Sequence, residues 1–164
     1  MKGYPLWAVA EDQRNSMVDP LLNEHRIKAG LKIINRTQSK YFLPRIFKKG
    51  EIILLLSDQD AGRHGVFVPF FGSLTSTPAG AAVCALRYGA PLLYVNTIYH
   101  QGKYDFVFER LPMPADINYS ARTIRLVTAQ HVARLEQDIR RFPEQWFWVH
   151  RRWKTPPEKA ERRG

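Results

Sequence analysis

The sequence predicts an α/β fold with a mixed, mostly parallel central sheet flanked by helices, and three observations carry that expectation. Short apolar runs alternate with segments of helical period from Leu6 to Arg141, and Gly30, Gly50 and Gly102 punctuate them. Ile52-Ile53-Leu54-Leu55-Leu56 is a continuous apolar run of strand length, the pattern of a strand buried on both faces of a parallel or mixed sheet. Tyr104 to Glu109 instead alternates with period two and reads as a strand paired by a hairpin with the one before it.

Taken in order, Leu6 to Ala10 is strand-like, entered by a turn at Lys2 to Pro5. Met17, Leu21, Leu22, His25 and Ala29 recur at helical spacing and stop at Gly30. Leu31 to Ile34 is a short strand, and Lys40 to Lys49 a second helix ending at Gly50, with Pro44 either in its first turn or kinking it. After the Ile52–Leu56 strand, residues 57–77 read as a long working loop and the favoured region for a site. Ala79 to Tyr88 is a helix of small residues suited to close packing on a sheet, and Pro91 to Ile98 is another strand. Pro112 and Pro114 end the 104–109 strand, and Thr123 to Arg141 is a long amphipathic helix whose cationic end suits its dipole. Residues 1–154 are expected to form a single domain, followed by a polar tail over 155–164.

The chain has 164 residues, of which 45% are apolar, enough for a sizeable core. Its 25 Lys and Arg against 15 Asp and Glu give a net charge of +10, so its partners are expected to be anionic. A lone cysteine, Cys84, in an apolar run excludes a disulfide framework and argues against a zinc site. No stretch approaches the roughly 18 consecutive apolar residues of a spanning helix. The cations do not fall on a recognisable nucleic-acid-binding motif, so no nucleic-acid partner is expected.

Three motifs stand out in order: Ser57-Asp58-Gln59-Asp60-Ala61-Gly62-Arg63, then Gly65-Val66-Phe67-Val68-Pro69-Phe70-Phe71-Gly72, then Trp146-Phe147-Trp148-Val149-His150-Arg151-Arg152-Trp153-Lys154. The last crowds three indoles against His150, Arg151, Arg152 and Lys154. Indoles favour the headgroup layer and cations favour anionic lipid, so Trp146, Trp148, Arg151, Arg152, Trp153 and Lys154 are candidates for contact with a membrane or an anionic lipid. An amphipathic element with its tryptophans in the core is the competing reading.

Together the three motifs resemble the bacterial lipid A biosynthesis acyltransferases, with supporting matches at Ile33-Ile34-Asn35-Arg36, Leu86-Arg87-Tyr88-Gly89-Ala90-Pro91 and Pro143-Glu144-Gln145-Trp146. The resemblance runs from about Gly3 to Pro156. It implies a glycerolipid-acyltransferase-like fold lacking its N-terminal portion, and transfer of a fatty acyl group from acyl carrier protein to a hydroxyl of a phosphorylated glycolipid. It further implies work at the cytoplasmic face of the bacterial inner membrane and no cofactor. The family's general base is a histidine followed five positions later by an acid, on a segment ahead of the first strand, so the base is expected upstream of Met1. A catalytically inactive chain that binds lipid or carrier protein is the alternative.

The resemblance also suggests individual roles. Arg36 would hold the acceptor's phosphate, or is a surface arginine at a strand end. Asp58, Asp60 and Arg63 would clamp and orient the acceptor; for either acid, capping the loop is the competing reading. Arg26 is a second candidate anion contact. Val66, Val68, Phe70 and Phe71 would wall an acyl groove or fill the core. No metal is expected, since the two acids lack a third oxygen ligand. Two other pairs have the His-x4-acid spacing, His100 with Asp105 at a hairpin and His131 with Glu136 on a helix, where an offset of five turns the side chains about 140° apart. Both are expected to be coincidences.

Overall fold

A computed structural model of the chain describes residues 3–10, 18–114 and 118–157, and these fall into two compact units, Met1–Leu55 and Leu56–Gly164. The start of the first helical pattern, at Met17, and most of the polar tail lie outside the described residues.

The first unit is a small parallel sheet with two crossover helices: β1 (Leu6–Ala10), α1 (Val18–Lys28), β2 (Leu31–Asn35), α2 (Ser39–Lys48) and β3 (Ile52–Leu54). β1 lies in the middle, parallel to β2 on one side and β3 on the other, with Leu6 facing both Leu31 and Ile52. Each strand-to-strand passage runs through a helix, as parallel pairing requires. Trp7 Nε1 donates to Glu51 Oε2 at 2.6 Å, and Lys32 lies over the indole at 4.9 Å. Pro44 falls beyond the first turn of α2, so the helix gives up one backbone bond there. The apolar run 52–56 is not enclosed on both faces: Ile52 is 43% and Leu56 75% exposed, and β3 is an edge strand of three residues.

The second unit is built on α4 (Ala121–Arg141), whose N-terminus is capped by Ser120 Oγ accepting from the Thr123 N–H at 3.2 Å. Ahead of it come a 3-10 turn (Gly62–His64), β4 (Val66–Phe70), β5 (Ser73–Thr77), α3 (Gly80–Tyr88), β6 (Leu93–His100) and β7 (Lys103–Arg110). β4–β5 and β6–β7 are separate antiparallel hairpins. Each closes on a residue-glycine pair with positive φ at both positions, Phe71-Gly72 and Gln101-Gly102, the two-residue turn that matches strand twist.

Among the described residues parallel pairing is thus confined to β1–β3, and the other strands form two antiparallel ribbons where one mostly parallel sheet was expected. Two residues cannot make the crossover that parallel strands need. The expected loop over residues 57–77 is in fact largely the β4–β5 hairpin.

One core layer joins Val68 and Phe70 of β4 to Val132 and Ile139 of α4, with Val66, Phe71, Ala129, Leu135 and Trp146 packed against it. A second joins Ala82 and Leu86 of α3 to Val127 of α4. β6 and β7 are tied to α4 by polar contacts: Arg134 Nε donates to Glu109 Oε2 of β7 at 2.5 Å, and Asp138 accepts from the Tyr94 hydroxyl of β6 at 2.9 Å, from Asn96 Nδ2 of β6 at 2.8 Å and from Arg134 Nη1 at 2.5 Å. Burial pushes the Asp138 carboxyl up, but these donors outweigh it and hold the group below the usual aspartate range.

Candidate functional site

The Asp58-Gln59-Asp60 segment and the Trp-rich basic segment meet in the second unit. The Asp60 backbone N–H donates to His150 Nε2 at 2.9 Å, and Asp60 Oδ1 accepts from the Gly62 N–H at 2.9 Å and from the Thr155 hydroxyl at 2.9 Å. Lys154 Nζ lies 4.0 Å from the same oxygen, and the Asp60 side chain is fully buried. Asp60 therefore turns its own loop into the 3-10 turn and anchors the chain returning from α4.

Arg152 is the fixed point beneath this junction. It is the largest fully buried side chain of the described residues. Its Nη1 donates to the Ser76 carbonyl at 2.5 Å, its Nη2 to Thr77 Oγ1 at 2.6 Å, and its guanidinium lies over the Phe70 ring at 5.3 Å. Burial pulls its pKa down, and the charges of Asp60 and Asp58 oppose that pull. Its two bonds tie the segment returning from α4 to β5. Ser76 contributes a second tie, its hydroxyl donating to the Gly62 carbonyl.

The aromatic side chains of the segment are divided. Trp153 stacks on Phe70 at 5.4 Å and Trp146 tilts against the same ring at 6.2 Å. Arg152 is thus buried and Trp146 packed against the core, as the competing reading of the segment had it, whereas Trp153 lays one face on Phe70 and remains 40% exposed. Phe147, Trp148 and Val149, by contrast, are 61%, 53% and 81% exposed. Val68 and Phe70 are wholly enclosed, with Val66 and Phe71 packed against them, so of the two readings offered for these four side chains the structure supports core filling.

Above the junction, Arg63, Arg151, Lys154 and Thr155 line an open cleft of about 550 Å³. Arg63 comes from the 3-10 turn and the other three from the returning chain, so the Asp60–His150 and Asp60–Thr155 bonds bring the cations together. Three cations and a hydroxyl around one opening suit a phosphate or another multiply charged anion. Arg36 follows β2 and Arg26 lies on α1, both in the first unit; Arg26 Nη1 donates to Asn23 Oδ1 at 2.8 Å.

The look-alike histidine pairs resolve differently. His131 is buried, and burial together with the Arg152 charge pushes it down to about 4, so it is neutral at physiological pH. Glu136 turns away from it, accepting the Phe71 N–H at 2.7 Å and pairing with Arg140 at 2.6 Å. His100 and Asp105 border a pocket of about 250 Å³ with Arg141 and Phe142. Among the described residues no group of three His, Cys, Asp or Glu is placed to hold a metal.

His150, Ser76, Thr77 and Thr155 were not singled out from sequence, although His150 sits within the third motif. The co-occurrence of the first and third motifs is the one signal that points to their contact.

The arrangement defines an α/β protein with a cationic cleft built from two sequence-distant motifs. Residues 1–155 match the bacterial lipid A biosynthesis acyltransferase family, and the chain belongs to it. It is 30% identical over 162 residues to the lipid A biosynthesis palmitoleoyltransferase of Escherichia coli K12, covering 93% of this chain and 49% of that protein. It is 29% identical over 147 residues to the lipid A biosynthesis lauroyltransferase of the same organism (88% and 47%). A phosphatidylinositol mannoside acyltransferase of Mycolicibacterium smegmatis is 24% identical over 153 residues (91% and 49%). The chain spans about half the length of these relatives.

Proposed function

We propose that this chain carries the acceptor-holding part of an acyltransferase that moves a fatty acyl group from acyl carrier protein to a hydroxyl of a phosphorylated, lipid A-type glycolipid. The observation that carries the reading is the Arg63–Arg151–Lys154 cleft, held by the contact between the two motifs through which the chain resembles its family. In the reaction the acceptor oxygen attacks the thioester carbonyl, a C–O bond forms as the C–S bond breaks, and the hydroxyl proton ends on the departing thiol. The cleft's cations hold the acceptor's phosphate so that the hydroxyl is presented in a fixed place, a gain in orientation. Work on a lipid acceptor places the site at a membrane surface, for which the cytoplasmic leaflet of the inner membrane is the proposed location.

The deciding experiment is binding of the phosphorylated glucosamine disaccharide lipid against its dephosphorylated counterpart in detergent micelles, paired with an acyl-transfer assay. The phosphorylated form is expected to bind at least about tenfold more tightly, and Arg63→Gln with Lys154→Gln to erase the difference. Equal affinity for the two forms would overturn the reading. Discrimination without turnover would favour the alternative, a chain that binds the acceptor and does not itself acylate it.

A further inference from the structure

We propose that Phe147, Trp148 and Val149 form a tip that inserts into the interfacial layer of an anionic bilayer and sets the cationic cleft at headgroup level. Trp146 and Trp153 are both drawn onto Phe70, so the chain between them must bulge outward and return. It does so through tight turns: the Trp148 N–H donates to the Trp146 carbonyl at 2.9 Å, His150 N–H to the Phe147 carbonyl at 3.1 Å and Arg152 N–H to the His150 carbonyl at 2.8 Å. Trp148 Nε1 donates to the Pro143 carbonyl at 2.6 Å, which fixes the indole while leaving it about half exposed. Three consecutive large apolar side chains, exposed by 53–81%, are thus presented by an ordered turn.

Water gains nothing from such an arrangement, and scattered exposed apolar residues do not explain three adjacent ones. Charge complementarity selects the occupant. Arg151 and Lys154, two and five residues beyond Val149, line the cleft, and Glu144 is the lone acid between Pro143 and Pro157. Apolar side chains leading and cations set just behind them is the order in which a protein meets acyl chains and then anionic headgroups. A short projecting tip also suits a fluid phase better than the acidic face of a carrier protein, which demands a complementary surface. The inference extends the reading of the cleft as a lipid-acceptor site and would bring the cleft to where such a lipid's phosphate lies.

The test uses the full chain with vesicles of phosphatidylglycerol and phosphatidylethanolamine, and vesicles of phosphatidylcholine alone. Cosedimentation is expected with the anionic vesicles. Phe147→Ser/Trp148→Ser/Val149→Ser is expected to weaken it by about tenfold or more, with the melting curve preserved. Val149→Asp, at the most exposed and least bonded position, should also lose binding and guards against misfolding of the triple variant. Leu126→Ser, an exposed apolar residue on α4, should change nothing. Lipids brominated near the headgroup should quench the fluorescence that disappears in Trp148→Phe. Undiminished partition of the triple variant and Val149→Asp, absence of Trp148 quenching, or self-association through the tip in place of vesicle binding would each overturn the proposal. Arg63→Gln separates it from the cleft reading: lost phosphate discrimination with intact tip-dependent partition supports the cleft, and intact discrimination with lost partition in the tip variants supports insertion alone.

Discussion

His150 Nε2 accepts the backbone N–H of Asp60 at 2.9 Å across 90 positions of sequence, and this bond joins two motifs that are separated by most of the second unit. Because Nε2 accepts, the bond selects the tautomer that carries its proton on Nδ1. His150→Ala is expected to lower the unfolding free energy by about 1–2 kcal/mol, since it leaves a partly buried N–H without a partner. It should also weaken binding of the phosphorylated acceptor, because Arg63 and Lys154 lose their common support. His150→Gln, whose Oε1 reaches nearly as far, should restore most of both. Urea titration and acceptor binding read the two effects, and a fully stable, fully binding His150→Ala would show that the junction holds without this bond.

Arg152→Met is expected to be far more costly. The side chain is fully buried and satisfies the Ser76 carbonyl and Thr77 Oγ1 while offsetting Asp58 and Asp60. Its loss strands buried acceptors and charge at a cost of about 3–5 kcal/mol. Arg152→Lys should recover little of this, because a point charge cannot bridge Ser76 and Thr77 as the guanidinium fork does. Denaturant midpoints of the two variants measure the difference; near-complete recovery by lysine would mean that charge alone, and not the fork, holds the segment.

The pH dependence of stability isolates His131. Burial, then the neighbouring Arg152 charge, pushes its pKa down to about 4 from 6.5, against a smaller upward pull from the backbone oxygens of Ser57 and Val127. A histidine depressed in the folded state binds its proton more readily when unfolded, so stability rises with pH between the two values. As pH falls from about 6.5 to about 4 the chain should lose up to about 3 kcal/mol on this account, and nothing further below that. His131→Leu should flatten this window specifically. The carboxylates Glu136 and Asp138, both held below their usual range by hydrogen-bond donors, lose their contributions only at lower pH and should behave alike in the two proteins. Parallel stability profiles for wild type and His131→Leu between pH 4 and 6.5 would contradict the burial of this ring.

The order of elements was legible because hydrophobic period and glycine punctuation are local. β1, the helix ending before Gly30, α2 and α4 fall where those signals put them. The β4–β5 hairpin was hidden by Pro69 and by Phe67, which break the alternation of Val66, Val68 and Phe70; in a two-stranded ribbon a proline in the ladder is tolerable. The fate of the indoles was not legible. Trp146, Trp148 and Trp153 have the same chemistry, and only the position of Phe70, some 80 residues earlier, decides that the first and third meet its ring while the middle one does not; Trp153, stacked on that ring, still leaves 40% of its surface exposed. For the same reason the motifs identified the region of the site but not the bonds that assemble it.

Two glycines near the junction should respond to substitution for different reasons. Gly65 has an ordinary extended backbone, φ −78°, so alanine there is not conformationally strained. Its Cβ would nevertheless collide with Ser76 Oγ and lie 2.7 Å from Ala61 Cβ and 2.9 Å from the Thr77 nitrogen. The last is backbone in the β5 ladder and cannot swing aside. Gly62 is the reverse case: its φ is +65° and open space surrounds it, so alanine meets no atom but must adopt the left-handed conformation. Gly62→Ala should cost about 1 kcal/mol, and Gly65→Ala about 1–3 kcal/mol through displacement of β5. Because β5 carries the Ser76 and Thr77 groups that hold Arg152, Gly65→Ala should also lower affinity for the phosphorylated acceptor, whereas Ser76→Ala in the same chain should relieve only the side-chain part of the collision. Chemical denaturation of the four proteins tests this, and a Gly65→Ala variant as stable as wild type would refute the close approach of the 3-10 turn to β5.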